Sequence, residues 1–95
     1  MTPVLPCAAT DVPVLPRGTR LHADRVRSRT VLLAPERVVE LDETGAVILS
    51  EIDGLRSVRE IALRLAERYD APASEIETDV AVFLGDLVAR GYLRT

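Results

Sequence analysis

Two side chains of the nucleophile-and-base type occur in this sequence, Cys7 and His22, and their surroundings keep them apart. A cysteine nucleophile needs a base within hydrogen-bond reach and a third group to orient that base. Cys7 lies among Pro3, Pro6, Pro13 and Pro16. Proline removes backbone donors and restricts the residue before it, so residues 1–16 read as an extended, flexible lead-in. His22 sits between Leu21 and Ala23 in a strand-like run, where a surface or half-buried structural role suits it. One cysteine and one histidine give no metal-ligand spacing, and no glycine-rich phosphate loop links a strand to a helix. The carboxylates fall at helix starts and on polar helix faces, as in the i,i+4 pair Glu60 and Arg64. The expectation is a chain that is not an enzyme, with no catalytic residue, no metal and no cofactor.

The whole-chain composition is compatible with a small binding module. Ninety-five residues, 47% hydrophobic and 28% charged, make one domain with one modest core. A lone cysteine excludes an intrachain disulfide and fits a reducing compartment. The first residues lack the pattern of a secretion signal, and no run approaches the ~18 apolar residues of a membrane span. The cytoplasm is the expected location. The net charge of −3 hides an asymmetry: residues 1–41 hold six Arg against four acids, and residues 57–90 four Arg against seven.

The elements that must position any site follow from periodicity. Thr19–Asp24, Thr30–Ala34 and Arg37–Leu41 have strand length and alternation. Pro35-Glu36 joins the last two as a tight antiparallel hairpin. Asp42 then caps a helix over Ala46, Val47, Ile48, Leu49 and Ile52, which Gly54 is placed to end. Ser57-Val58-Arg59-Glu60 and Ser74-Glu75-Ile76-Glu77 are capping boxes opening two more helices. The second helix buries Val58, Ile61, Ala62, Leu65 and Tyr69; the third buries Ile76, Val80, Phe83, Leu84, Leu87 and Val88 and stops at Gly91. The predicted class is α+β: a three-stranded antiparallel sheet followed by three helices, with residues 17–95 as one domain.

The third helix carries an unexplained face: Thr78, Ala81, Val82, Gly85 and Ala89. A mid-helix glycine costs about 1 kcal/mol relative to alanine. Two readings stand: an undemanding solvent face, or a face of small residues that lets another backbone come close. Nucleic acid is a poor partner for this helix. It bears Glu75, Glu77, Asp79 and Asp86 against Arg90, whereas a recognition helix meets phosphates with cations. Arg25, Arg27 and Arg29 add only a thin basic footprint.

PERVVELDETGAVILSEIDGLRSVREIALRLAERY, followed by DVAVFLGDLVARGYL, resembles the PqqD family of pyrroloquinoline quinone biosynthesis proteins. Arg20-Leu21 with Asp24, Leu32 to Glu36, Leu41-Asp42, Ile48-Leu49, Asp53-Gly54, Ser57 to Ile61, Asp79-Val80 and Phe83-Leu84 carry the likeness by their order, over about residues 16–93. It implies a winged helix-turn-helix-like domain that binds a ribosomal precursor peptide. It also implies presentation of that peptide to a radical S-adenosylmethionine enzyme. The peptide is expected as an added strand between the third strand and the third helix. Residue by residue, the candidate contacts are Arg37, Val38, Val39, Glu40 and Leu41 on the strand, and Asp79, Val82, Phe83, Gly85 and Asp86 on the helix. Val39 and Phe83 also fit ordinary core positions. An exposed strand edge accepts a second copy as readily as a peptide, so monomer and homodimer both remain open. The rival class is a winged-helix dimer or regulator that does not bind this peptide.

Overall fold

The computed structural model describes residues 5–95, in the order β1 (Arg20–Asp24), β2 (Arg29–Ala34), β3 (Arg37–Glu40), α1 (Glu43–Ser50), α2 (Val58–Tyr69) and α3 (Ala73–Ala89). The sheet is antiparallel in the order β1-β2-β3, so β1 and β3 are its edges. Two turns set its register. Asp24 accepts hydrogen bonds from the amides of Val26 and Arg27 and folds the β1–β2 loop back. Ala34 faces Arg37, leaving Pro35 and Glu36 as a two-residue turn with Glu36 at φ 63°.

Side-chain alternation places Leu21, Leu32 and Val39 on one sheet face, opposite one another across the ladder. Leu32 is fully buried there against Ile48 and Leu49 of α1, Val58, Ile61 and Leu65 of α2, and Val80, Leu84 and Leu87 of α3. Burying each such side chain contributes about 1.5–3 kcal/mol, and these residues supply the main driving force for folding. Among the described residues Glu51, at the end of α1, is the buried charged one. Arg64 Nε lies 2.5 Å from its carboxylate, and Arg56 donates to its backbone carbonyl, tying α1 to α2.

The helix ends follow the sequence in part. The Ser57–Glu60 capping box forms in both directions. At the other expected box, α3 starts one residue before Ser74 behind Pro72, and no side chain caps it. Ser74 lies inside the first turn, where its carbonyl accepts from the Thr78 hydroxyl. The first helix stops at Ser50, not at Gly54. Asp53 captures the amides of Leu55 and Arg56 at 2.8 Å each, and this turn takes the chain out of the helix. These hydrogen bonds hold the Asp53 carboxyl below its ordinary pKa. At the end of α3, Tyr92 N–H bonds the Leu87 carbonyl and Gly91 N–H that of Val88, folding Tyr92-Leu93 onto the core.

The largest departure from expectation is at the start of the chain. Pro3 lies outside the described residues, but residues 5–16 are docked, not free. Val14 pairs with Arg94 in both directions, and Pro13 is buried. The carbonyls of Asp11 and Ala9 accept from Val58 and Arg59, at 2.9 and 3.0 Å. With Ser57 and Glu60 satisfying each other, all four orphan amides at the start of α2 are paired. Prolines here remove donors that the docked segment does not need, while its carbonyls supply acceptors that α2 lacks.

Candidate functional site

The outer edge of β3 is where unpaired backbone meets a helix. In an antiparallel pair, residues alternate between those that exchange both backbone hydrogen bonds with the neighbour and those that point them outward. Leu41 N–H donates to Thr30, its partner in the continued β2–β3 register. Counting back by two, Val39 and Arg37 bond to β2, and Val38 and Glu40 direct their N–H and C=O groups to the open edge. The edge therefore offers two donors and two acceptors at the spacing of an added strand.

Between this edge and α3 runs an open cleft of about 340 Å³, lined by Val39, Leu41, Phe83 and Leu87, with Asp42, Asp86 and Arg90 as its polar groups; the backbone of Glu40 borders it, while the Glu40 carboxylate pairs with Arg29 at 2.6 Å on the other sheet face. The helix turns roughly 100° per residue, so Phe83, Asp86 and Arg90 share one side of α3. Asp42 caps α1 by accepting from Gly45 at 2.7 Å, which leaves its carboxylate at the cleft wall. Carboxylates dominate the middle. At one end Arg37 reaches the Tyr92 hydroxyl at 3.5 Å, and Arg90 lies over the Tyr92 ring, 5.2 Å from its centroid. The Arg37 hydrogen bond, followed by the charges of Arg37 and Arg90, lowers the Tyr92 phenol below its ordinary pKa; burial opposes this.

The structure sorts the ten residues named from sequence. Val39, Leu41, Phe83 and Asp86 come together in the cleft, whereas Glu40 borders it with its backbone and turns its carboxylate to Arg29 on the other sheet face. Val38 lies on the edge with its side chain on the opposite sheet face, 63% exposed. Arg37 stands at the cleft's end on Tyr92. Val82 is exposed on the crest of α3. Asp79 lines a separate cavity farther along the helix. Gly85 is a correction: it is buried beneath the chain's own first described residues. A Cβ there would collide with the Leu5 carbonyl oxygen and stand 2.8 Å from Pro6 Cα. Cys7 N–H donates to the Ala81 carbonyl beside it. A backbone does come close at the small-residue face, and it belongs to this chain.

Asp42, Leu87, Arg90 and Tyr92 were missed. In sequence Asp42 is a cap, Leu87 a core residue, and Arg90 and Tyr92 belong to a helix end. Arg90 does fall on the same wheel side as Phe83 and Asp86, a signal available without coordinates. Among the described residues no group of three or more His, Cys, Asp or Glu is arranged to hold a metal ion. No described helix is long and apolar enough to cross a membrane.

Comparison with known proteins covers most of the chain. A family model described as Coenzyme PQQ synthesis protein D (PqqD) matches residues 29–93. A protein named PqqA binding protein from Xanthomonas campestris pv. campestris (strain B100) is 51% identical over 82 residues, covering 86% of this chain and 89% of its own. One of the same name from Rhizobium meliloti (strain 1021) is 44% identical over 86 residues, covering 90% and 88%. Among solved structures, the solution structure of the PqqD truncation of Methylobacterium extorquens PqqCD superposes with a TM-score of 0.83 at 42% identity. It covers 94% of this chain and 95% of that one. That truncation is described as a functional, stand-alone recognition element for ribosomally synthesized and post-translationally modified peptides.

Proposed function

This chain belongs to the PqqD family, and from that premise we propose that it captures the precursor peptide of pyrroloquinoline quinone synthesis as a fourth strand on β3. The observation that carries the reading is the pair of outward-facing residues, Val38 and Glu40, beside an open cleft walled by α3. An extended peptide satisfies those backbone groups and sets alternate side chains between strand and helix. Backbone pairing supplies affinity with little sequence preference. Selection falls to the cleft: Val39, Leu41, Phe83 and Leu87 take apolar side chains, and Asp42 and Asp86 favour basic ones. The names of the relatives, which bind PqqA, support the same ligand.

In this reading the protein does no chemistry itself. It holds the peptide in a defined register for a radical S-adenosylmethionine enzyme of the same pathway, in the cytoplasm, and no nucleic acid is involved.

The test is calorimetric titration of the PqqA peptide into matched proline variants. Val38→Pro removes an outward donor and is expected to weaken binding about tenfold or more while the domain stays folded. Val39→Pro removes a donor that bonds to β2, and is expected to damage the sheet itself. Unaltered affinity in folded Val38→Pro sinks the strand-addition reading. Should that variant not fold, amide shifts of the wild type on titration decide instead. Shifts centred on residues 37–41 and the cleft side of α3 are expected, and shifts confined elsewhere would count against it.

A further inference from the structure

Beyond the end of β3, a second cavity of about 270 Å³ opens between α1, α2 and α3. Its walls are apolar, with Val47, Leu65 and Ile76 among them; Tyr69, 53% exposed, stands at the mouth, and the carboxylates of Glu43 and Asp79 rim it. The strand-addition cleft does not include this cavity, but the two are neighbours along both walls. Asp42 lines the cleft and Glu43 the cavity; on α3, Phe83 lines the cleft and Asp79, one turn earlier, the cavity.

We propose that this cavity is an anchor site for one large apolar side chain of the bound peptide, carried next to a basic residue and lying outside the segment paired with β3. The proposal rests on the strand-addition reading and extends it. Three observations select this occupant. The volume lies just below the range of small-molecule pockets, typically about 300–1,000 Å³, and suits a single side chain. The apolar walls with two carboxylates at the rim ask for an apolar group with a cation beside it. The site also continues the cleft: about eight residues of α3 separate the centres of the two linings, roughly 12 Å by helical rise, which an extended peptide spans in about four residues. The anchor is therefore expected about four residues from the paired segment, on the side that runs past Asp42 toward Glu43. One competing occupant has similar chemistry: Val26, 95% exposed between Arg25 and Arg27, on a second copy of this chain.

The experiment pairs the wild type and Thr44→Trp with the PqqA peptide and with versions of it in which each apolar residue in turn is serine. Thr44 is exposed and lines the cavity, so an indole there closes the mouth without entering the core. One serine substitution outside the β3-paired segment is expected to weaken wild-type binding about tenfold to a hundredfold. Against Thr44→Trp the same substitution is expected to change affinity less than threefold. Asp79→Lys is expected to weaken the unmodified peptide severalfold, and it serves as the second variant if Thr44→Trp does not fold. If peptide binding still depends on Val38 but ignores Thr44→Trp and Asp79→Lys, the anchor is overturned and strand addition survives. No binding of the peptide to the wild type overturns both. Self-association in sedimentation that Thr44→Trp abolishes, with peptide affinity unchanged, assigns the cavity to a second copy and overturns the anchor.

Discussion

Along one side of α3, Ala81 and Gly85 lie beneath the segment Leu5–Cys7; along another, Phe83, Asp86 and Arg90 face β3 across an open cleft. The covered side meets extended backbone, and in the proposed reading the open side does too, by different means. The covered side uses small residues, so the backbone itself packs on the helix and one amide bonds a helix carbonyl. The open side uses larger side chains that hold α3 away from the strand and leave a gap of side-chain width. The covering segment is tethered at a high effective concentration, because the residues after it cap α2. Open contact, in the proposed reading, is selective because charged and apolar walls must be matched by whatever enters. A small-residue helix face thus marks close approach without saying whether the visitor is foreign.

If the two sides are as distinct as this, substitutions on them separate stability from binding. The largest expected effect is Gly85→Leu, which drives a side chain into Leu5 and Pro6. It should cost about 2 kcal/mol, a fall in thermal midpoint of about 8–16 °C, while the folded variant binds peptide within about twofold of the wild type. A tenfold loss of affinity with stability intact would instead put the ligand on the covered side. Asp86→Arg inverts a charge in the open cleft and breaks only an exposed ion pair with Arg90. Its midpoint should stay nearly fixed, while affinity for a basic peptide drops severalfold at low salt and less at high salt. Equal affinities at both salt concentrations would remove electrostatics from the cleft's selectivity.

The smallest effect is a chemical one. Partial burial, then the nearby charge of Asp11, raises the Cys7 thiol above its ordinary pKa. Alkylation should be slower in the native protein than in the unfolded chain, and faster in Gly85→Leu than in the wild type. The raised value favours the protonated thiol in the folded state. Its contribution to stability is therefore intact below the unfolded thiol pKa and lost as pH rises through the folded one. Equal alkylation rates in native and unfolded protein would mean that the first segment is undocked in solution.

Most of the fold was legible because it follows from local rules. Alternation, the Pro35-Glu36 turn, the Ser57 capping box and the Gly91 stop each act within a few residues, and each formed. The second capping box failed where the helix, behind Pro72, started two residues early. Half of the site was legible in the same sense: β3 is an edge, and Phe83 and Asp86 share a side of α3. The rest depended on pairing across the chain. Which amides of β3 face outward is set by the bond from Leu41 to Thr30, and no periodicity in Arg37–Leu41 distinguishes Val38 from Val39. Proline content argued for a free lead-in, because composition reports lost donors and is silent about distant donors, such as those of Val58 and Arg59, that need carbonyls.

The sequence by itself determined the elements, their order, the acidity of α3 and its small-residue face, all consequences of residue type and short-range spacing. Only the tertiary structure decided that Leu5–Cys7 cover Ala81 and Gly85 of the small face, that Val38 and Glu40 carry the open edge, and that Asp79 opens onto a cavity of its own. Those outcomes depend on which groups, far apart in the chain, satisfy one another's hydrogen bonds and exclude water. Such satisfaction is a property of the packed whole.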